Sequence, residues 1–416
     1  MKLRPSHRAA RPARADPGHV APRGPLAERE FRLFLAGRTI SYFGTSMALV
    51  ATAFAILDLT GSKSDVGYVL AAQQGPRAIF LLLGGVWADR LPRQRVMVLT
   101  NMVSGTSQCT SATFLLTHHA QIWMLAALAA CNGTSAAFFT PAAQASIPAT
   151  VPEHLLQPAN AMFRLFQNGT TIFATAAAGI LVASAGPGYA ILIDGLTFYA
   201  GSVFLGALRP LVDHREPRTS VLRELREGWD AFRSRTWLWA IVIQFSFVNA
   251  VQSGSMNVLG PAIAKARLGG AAVWGAILTA QAVGFVACGF LMLRLKVRRL
   301  LFLGTLCVFP MALPLLALAP PLPAVAIGAC AFAGGASLEV FGVAWYTVLQ
   351  REIPRRLLSR VSAWDEFGSV IFIPIALGVA GPVSNAIGAR ATLVGSAAVI
   401  VTATALVLLA ADARRL

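Results

Sequence analysis

Several ionisable side chains fall inside stretches that are otherwise apolar. A charge near the middle of a bilayer costs about 2.5–3.5 kcal/mol on insertion scales, so each one raises a functional question. Arg77, in Gln-Gln-Gly-Pro-Arg, lies near the centre of its stretch with Gln73 one turn away. A cation at that depth cannot easily reach the surface and is expected to line a polar cavity or to join a buried pair. Glu339, just after Gly-Gly-Ala-Ser, is the acid best suited to carry a proton or hold a cationic cargo; the alternative is a static pair with an arginine on an adjacent helix. Arg164, close to Gln167 and Asn168, is either a cavity residue or an inner-gate partner for Asp365 or Glu366. Asp194 ranks below these, with a structural role favoured. Arg38 and Asp58, at the two ends of the first apolar run, are expected to be interfacial anchors.

Other chemistries find little support. No histidine among His7, His19, His118, His119, His154 and His214 lies deep in an apolar run, and no Gly-x-x-x-x-Gly-Lys-Ser loop or metal-ligand spacing occurs. Neither an enzyme nor a cofactor or metal site is expected. Cys109, Cys131, Cys288, Cys307 and Cys330 all fall in apolar runs and are expected to be packing residues.

The elements that must position these groups follow from composition. Of 416 residues, 56% are hydrophobic and 13% charged, with mean hydropathy +0.63, whereas soluble domains carry about 25% charged residues. Apolar runs of about 18–25 residues recur, each long enough to cross roughly 30 Å of hydrocarbon as a helix. The expected spans are 34–58, 66–88, 96–117, 121–147, 156–184 and 187–208, then 237–263, 270–293, 299–319, 322–349, 361–384 and 388–411. The fold expected is therefore an all-α integral membrane protein of twelve transmembrane helices in two six-helix halves, 31–208 and 237–411.

The net charge of +17 is a property of the loops. Alternate counting places roughly 28 of the 35 Lys and Arg on one side and about four, Lys63, Lys265, Arg267 and Arg390, on the other. The basic side is expected to be cytoplasmic, with both termini there, and no soluble basic domain remains to bind nucleic acid. Residues 1–30, rich in Arg and Pro, lack a secretory apolar core and are expected to form a disordered cytoplasmic tail, as are 412–416 to form a short cytoplasmic end. Between the halves, 209–236 reads as a linker with an amphipathic helix, since Leu222, Leu225, Trp229 and Phe232 recur at spacings of three and four. With Arg223, Arg226 and Arg233 nearby, it either lies on the inner leaflet or is a solvated linker helix. The excess of Arg over Lys and the abundant Ala hint at a GC-rich bacterial genome.

An internal repeat supports the division. Gly84 onward, GGVWADRLPRQRVMVL, aligns without a gap to Cys288 onward, CGFLMLRLKVRRLLFL, placing Gly85 on Gly289, Arg90 on Arg294 and Arg95 on Arg299, an offset of 204. VPEHLLQPANA from Val151 aligns to IPRRLLSRVSA from Ile353 at an offset of 202. Parallel six-helix repeats are an architecture of secondary transporters, with the substrate site near mid-membrane between the repeats.

Gly85 to Arg95, reading Gly-Val-Trp-Ala-Asp-Arg-Leu-Pro-Arg-Gln-Arg, resembles the major facilitator superfamily signature G-x-L-A-D-R-x-G-R-K. GRTISYFG in span 1, ILIDGLTF in span 6 and WYTVLQREIP with LLSRVSAWDEFGS extend the resemblance, towards the multidrug and macrolide efflux branch, over nearly all of 31–411. In similar proteins the loop holds the cytoplasmic side closed, so the resemblance implies gating by Gly85, Asp89, Arg90 and Arg93; the plainer alternative is a topological anchor. The chain departs from the signature at Trp87, Pro92 and Gln94, and Leu293 stands in the second copy where Asp89 stands in the first, so the latch is expected to be asymmetric. It also lacks the Gly-Pro motif of antiporters in span 5, and has Thr45 where an acid often follows Gly in span 1, which weakens the case for proton coupling. The resemblance implies that span 10, with Glu339, lines the central path, that span 6, with Asp194, is peripheral, and that the protein is a monomer in the inner membrane.

The expected function is alternating-access export of amphipathic small molecules, such as a drug, secondary metabolite or siderophore, by proton antiport. Metabolite uptake or facilitated diffusion on the same fold, and a transport-silent membrane sensor, are the alternatives.

Overall fold

The computed structural model describes residues 24–88, 92–209, 221–292 and 299–409, and its regular elements there are helices. Asp89 and Arg90 lie outside these residues; Gly85 is within the second helix. The first group comprises α1 (Arg29–Thr60), α2 (Lys63–Ala88), α3 (Arg93–Leu116), α4 (Ile122–Ser146), α5 (Leu156–Ala185) and α6 (Pro187–Gly206). A short α7 (Val221–Arg233) leads to α8 (Thr236–Gly254), which continues through π-helical Ser255–Leu259, α9 (Gly260–Ile263) and π-helical Ala264–Leu268. Then follow α10 (Ala271–Met292), α11 (Leu300–Leu306), a 3₁₀ turn Phe309–Ala312, α12 (Leu313–Leu318), α13 (Ala324–Glu352), α14 (Arg355–Val370), α15 (Ile373–Ile387) and α16 (Ala389–Leu409).

Among the described residues, nine helical segments are long and apolar enough to cross a bilayer, and α2, α3 and the run from Thr236 to Leu268 pack among them. Large apolar side chains such as Phe173, Val203 and Val325 are left mostly exposed, as a lipid-facing surface requires. Tight reversals are made where the backbone permits them. Gly61 takes a left-handed conformation (φ +69°) to end α1, and Gly186 (φ +93°) separates α5 from Pro187 at the first turn of α6.

Three expectations about boundaries are corrected. Helix α1 starts five residues before the expected position 34, so Arg38 lies more than two turns inside it and is no end anchor. The expected span 299–319 is interrupted at Phe309–Ala312, where Pro310 cannot donate to the ladder. The expected span 361–384 is two helices that meet at Ile371 and Phe372, which puts Asp365 and Glu366 inside α14, well past its start.

Small residues set the closest packing, the usual device where no hydrophobic force drives helices together. A Cβ at Gly133 of α4 would sit 1.8 Å from the Gln73 carbonyl oxygen of α2. The same contact recurs later in the chain, where a Cβ at Gly335 of α13 would sit 2.2 Å from the Gln281 carbonyl oxygen of α10. Pairs α2/α4 and α10/α13 are thus built alike.

Helix α7 is the amphipathic helix expected within 209–236, and it packs on protein: the Trp229 ring is 4.9 Å from Trp364 of α14 and 5.7 Å from Phe232. Arg360 of α14 donates to Glu227, and Gly228 lies against Arg360. That ion pair is partly exposed and adds at most about 1 kcal/mol, so the ring contacts dominate. Trp229→Ala is expected to raise amide hydrogen exchange in Val221–Arg233 about tenfold, and Glu227→Ala much less; equal effects of the two changes would contradict this ranking.

Candidate functional site

At one end of the bundle, the end that carries Asp58, Lys63 and Lys265, α1–α6 and α8–α16 are pressed together. A Cβ at Gly67 of α2 would lie 2.3 Å from the Leu377 carbonyl oxygen of α15, and one at Gly381 of α15 would lie 2.4 Å from Ser64 Cα. Gly179 of α5 and Gly275 of α10 meet in the same manner, a Cβ on Gly275 lying 2.8 Å from Gly179 Cα. One turn further along, the hydroxyls of Thr175 and Thr279 are 3.1 Å apart. Polar clasps rim this seam. Lys63 Nζ donates to Ser384 Oγ at 2.7 Å and Asn385 Nδ2 to Ser64 Oγ at 3.2 Å. Lys265 Nζ donates to the Leu57 carbonyl at 2.7 Å and to Asp58 Oδ1 at 2.5 Å. Asp58, expected to be a simple interfacial anchor, is therefore one side of a bridge between α1 and the end of the α8–α9 run.

Towards the other end, the charged groups of the sequence reading gather from both groups of helices. Arg164 of α5 places its guanidinium 5.6 Å from the ring centre of Tyr346 of α13. Its electrostatic partners are Glu339 and Tyr346, and among the described residues it forms no ion pair within 4 Å with Asp365 or Glu366. Asp365 accepts from Trp345 Nε1 at 2.9 Å and from the Ser369 side chain, beside Glu366. Glu339 projects near Gly289, where an added Cβ would come within 3.4 Å of Oε1. The small residue thus leaves room for the carboxylate.

The remaining candidates separate. Gln73 Nε2 donates to Asn132 Oδ1 at 3.1 Å, within the α2/α4 contact. Arg77 is exposed. Asp194 is buried in α6, taking hydrogen bonds from Gln108 Nε2 of α3 and, at 3.5 Å, from Thr45 Oγ1 of α1. Gly44 lies directly against it, so Asp194 joins three helices and does not meet Glu339. Arg93 Nη1 donates to the Ala145 carbonyl at 2.9 Å, tying the end of the signature loop to α4. Gln94, a departure from the signature, donates to the carbonyls of Leu205, Gly206 and Leu208 and so caps α6.

Arg38 is the largest correction. Its guanidinium lies 4.6 Å from the Phe139 ring centre and 5.7 Å from that of Phe163, with Nε buried and lacking an acceptor. The sequence carried a signal for this, a cation ten residues into a helical run, but the phenylalanines that surround it come from α4 and α5 and are distant in sequence. Asn132, Gln108 and Tyr346 were missed for the same reason. A cavity of about 650 Å³ between α10 and α13 is lined by residues such as Ala276, Val325 and Phe332 and contains none of these groups. Its walls suit acyl chains better than a site for charge.

A long helical bundle with charged groups drawn from both ends of the chain and small-residue seams between them defines a polytopic carrier. The Major Facilitator Superfamily model matches residues 34–378, and the chain belongs to that family. It is 26% identical over 386 residues to the multidrug efflux pump Tap of Mycolicibacterium fortuitum, covering 89% of this chain and 91% of the relative. It is 22% identical to macrolide efflux protein A of Streptococcus pyogenes, covering 84% and 87%, and 25% identical to the enterobactin exporter EntS of Escherichia coli, covering 80% of each. Among solved structures, the nucleoside transporter NupG superposes with TM-score 0.68 at 11% identity, covering 92% of this chain and 98% of that one. A bacterial homologue of the lysosomal transporter Spinster, inward-facing and unoccupied, superposes with TM-score 0.68 at 16% identity, covering 93% and 97%. The protein is a multi-pass membrane transporter of a bacterial transporter family, not an enzyme, and its cargo is a small molecule.

Proposed function

We propose that the protein exports amphipathic small molecules, such as a drug, secondary metabolite or siderophore, by alternating access coupled to inward proton flow. The observation that carries this reading is the one-ended seam: Gly67, Gly381, Gly179 and Gly275 close α2 on α15 and α5 on α10 at the end bearing Lys63 and Lys265. The scarcity of basic residues at that end marks it as the outer side, which makes this an inward-open state. In this reading the chain crosses the inner membrane twelve times as two six-helix units, 31–208 and 237–411, acts as a monomer, and keeps both termini in the cytoplasm. Rocking of the units opens the seam and closes the inner side, where Gly85, Asp89, Arg90 and Arg93 form the latch.

Glu339 carries the proton, its charge balanced by Arg164 across the cavity, with Asp365 and Glu366 as further acids and Arg77 as a cavity cation. Asp194 is assigned a structural role. Efflux of drugs, macrolides and enterobactin by the three relatives supports the direction and the breadth of cargo.

The test is expression in an efflux-deficient bacterium with a compound panel, with and without an uncoupler. Resistance that the uncoupler abolishes supports the proposal. A metabolite that equilibrates in vesicles, with no gradient-driven drug movement, would establish the uptake reading instead, and no movement of any solute would favour a sensor.

A further inference from the structure

From the surroundings of Arg38 we infer that the cargo carries an anionic head group, a carboxylate, sulfonate or acidic phenol on an aromatic body, and that Arg38 receives it. This rests on the export reading only in taking the space between the helices as the cargo's path.

Arg38 stands on α1 where α4 and α5 converge, its guanidinium against the rings of Phe139 and Phe163. Ring contacts use the faces of a guanidinium and leave its in-plane N–H groups unspent. Here they are unspent: Nε is buried without an acceptor, and among the described residues no carboxylate pairs with this side chain. A buried cationic donor left this way is unfavourable relative to a paired one. A planar, bidentate anion is the partner whose geometry matches the free edge.

The space beside it is narrow. A narrow cleft of about 10 Å³ is lined by Arg38, Thr39, Tyr42, Phe163 and Gln167. In this conformation it has room for about one water molecule, so an anionic head group enters only as the lining side chains give way, and a whole drug-sized molecule does not fit. The rest of the cargo must extend outside it. Phe163 precedes Arg164 in α5, so the same turn that closes the cleft also presents the cation facing Glu339 and Tyr346.

Charge distribution argues the same way. The cations Arg38, Arg77 and Arg164 come from α1, α2 and α5, whereas the acids Glu339, Asp365 and Glu366 come from α13 and α14. A cationic amphiphile entering the Arg38 cleft would bring a like charge against an unneutralised arginine, which the apolar walls make costly. An anion removes that penalty.

The test measures binding, for which no gradient or direction is needed. Full-length protein in nanodiscs of zwitterionic phosphatidylcholine is titrated with anthracene-9-carboxylate, its methyl ester and 9-(aminomethyl)anthracene, bodies of one shape with charges of −1, 0 and +1. The acid is expected to bind at least about tenfold more tightly than the ester, and the amine most weakly. Arg38→Gln should bring the acid down to the level of the ester, with an unchanged thermal unfolding transition verifying that the variant is folded. Arg38→Lys should keep a preference for the acid at reduced affinity, since the charge remains but the fork does not. The inference is overturned if the acid binds no better than the ester, if none of the three binds, or if Arg38→Gln leaves the preference intact. Selective binding of the acid without gradient-driven export would overturn the proposed function and leave this inference standing.

Discussion

Gly67→Ala is expected to abolish most transport while leaving folded protein in the membrane. The added methyl carbon would fall 2.3 Å from the Leu377 carbonyl oxygen, more than about 1 Å inside normal contact distance. That oxygen belongs to helix backbone, so it cannot turn aside, and α2 must move away from α15. Within α2 itself the change is favourable, since alanine exceeds glycine in helix propensity by about 1 kcal/mol. The cost therefore falls on one conformation only. Overpacking of this kind costs about 1–3 kcal/mol, a population shift of about five- to 150-fold away from the closed seam. Gly75 provides the control on the same helix: no heavy atom lies within 4 Å of its Cβ position, and Gly75→Ala should be neutral or stabilising. Spin labels at Leu59 and Ile387, both exposed, should report a longer distance in Gly67→Ala and no change in Gly75→Ala. An unaltered distance with normal flux in Gly67→Ala would show that the seam does not open.

Glu339→Gln is expected to uncouple the transporter more than to block it. Glutamine has the shape of the protonated acid, so the cycle can continue in one charge state, but the proton gradient no longer biases it. Gradient-driven accumulation in proteoliposomes should fall by about five- to 150-fold, the range of a 1–3 kcal/mol coupling, while exchange of cargo at equal pH persists. Loss of both activities would make Glu339 a cargo ligand, and retention of both would remove it from the mechanism. Arg164→Gln, which takes away its counter-charge, should weaken exchange as well as accumulation, because it also gives up the Tyr346 ring.

The sequence was informative wherever one segment determined the outcome. Apolar run length located nearly every helix, the spacing of Trp229 and Phe232 identified α7, and glycines at 61 and 186 ended helices as their chemistry requires. It was less informative where partners come from elsewhere in the chain. Arg38 looked like an end residue because the polar residues ahead of it concealed the true start of α1 at Arg29. Glu339 and Arg164 were singled out by the cost of burying charge, yet only packing brings them opposite each other. Gln94 looked like a mere loss of the signature lysine, while its amide in fact closes the end of α6. The breaks at Phe309–Ala312 and at Ile371 were invisible because mean hydropathy does not change across them.

Both groups of helices combine hydrogen bonds and ring contacts, in different proportions. Within α1–α6 the interior is joined chiefly by directional bonds: Asn101 to Ser41, Gln108 and Thr45 to Asp194, and Ser107 to the Leu128 carbonyl. Within α7–α16, rings are prominent, with Phe245 on Phe341 at 4.1 Å, Trp237 against Trp345 at 5.7 Å and Trp364 near Phe367 at 6.1 Å. Ring contacts tolerate sliding, hydrogen bonds within apolar surroundings do not, and the helix interruptions at Ser255–Leu259 and Phe309–Ala312 lie on the ring-packed side. Heating, or an alcohol that swells the bilayer, should therefore loosen the C-terminal part of the molecule first. In the working protein, that part is the compliant one and α1–α6 the stiff frame it yields against.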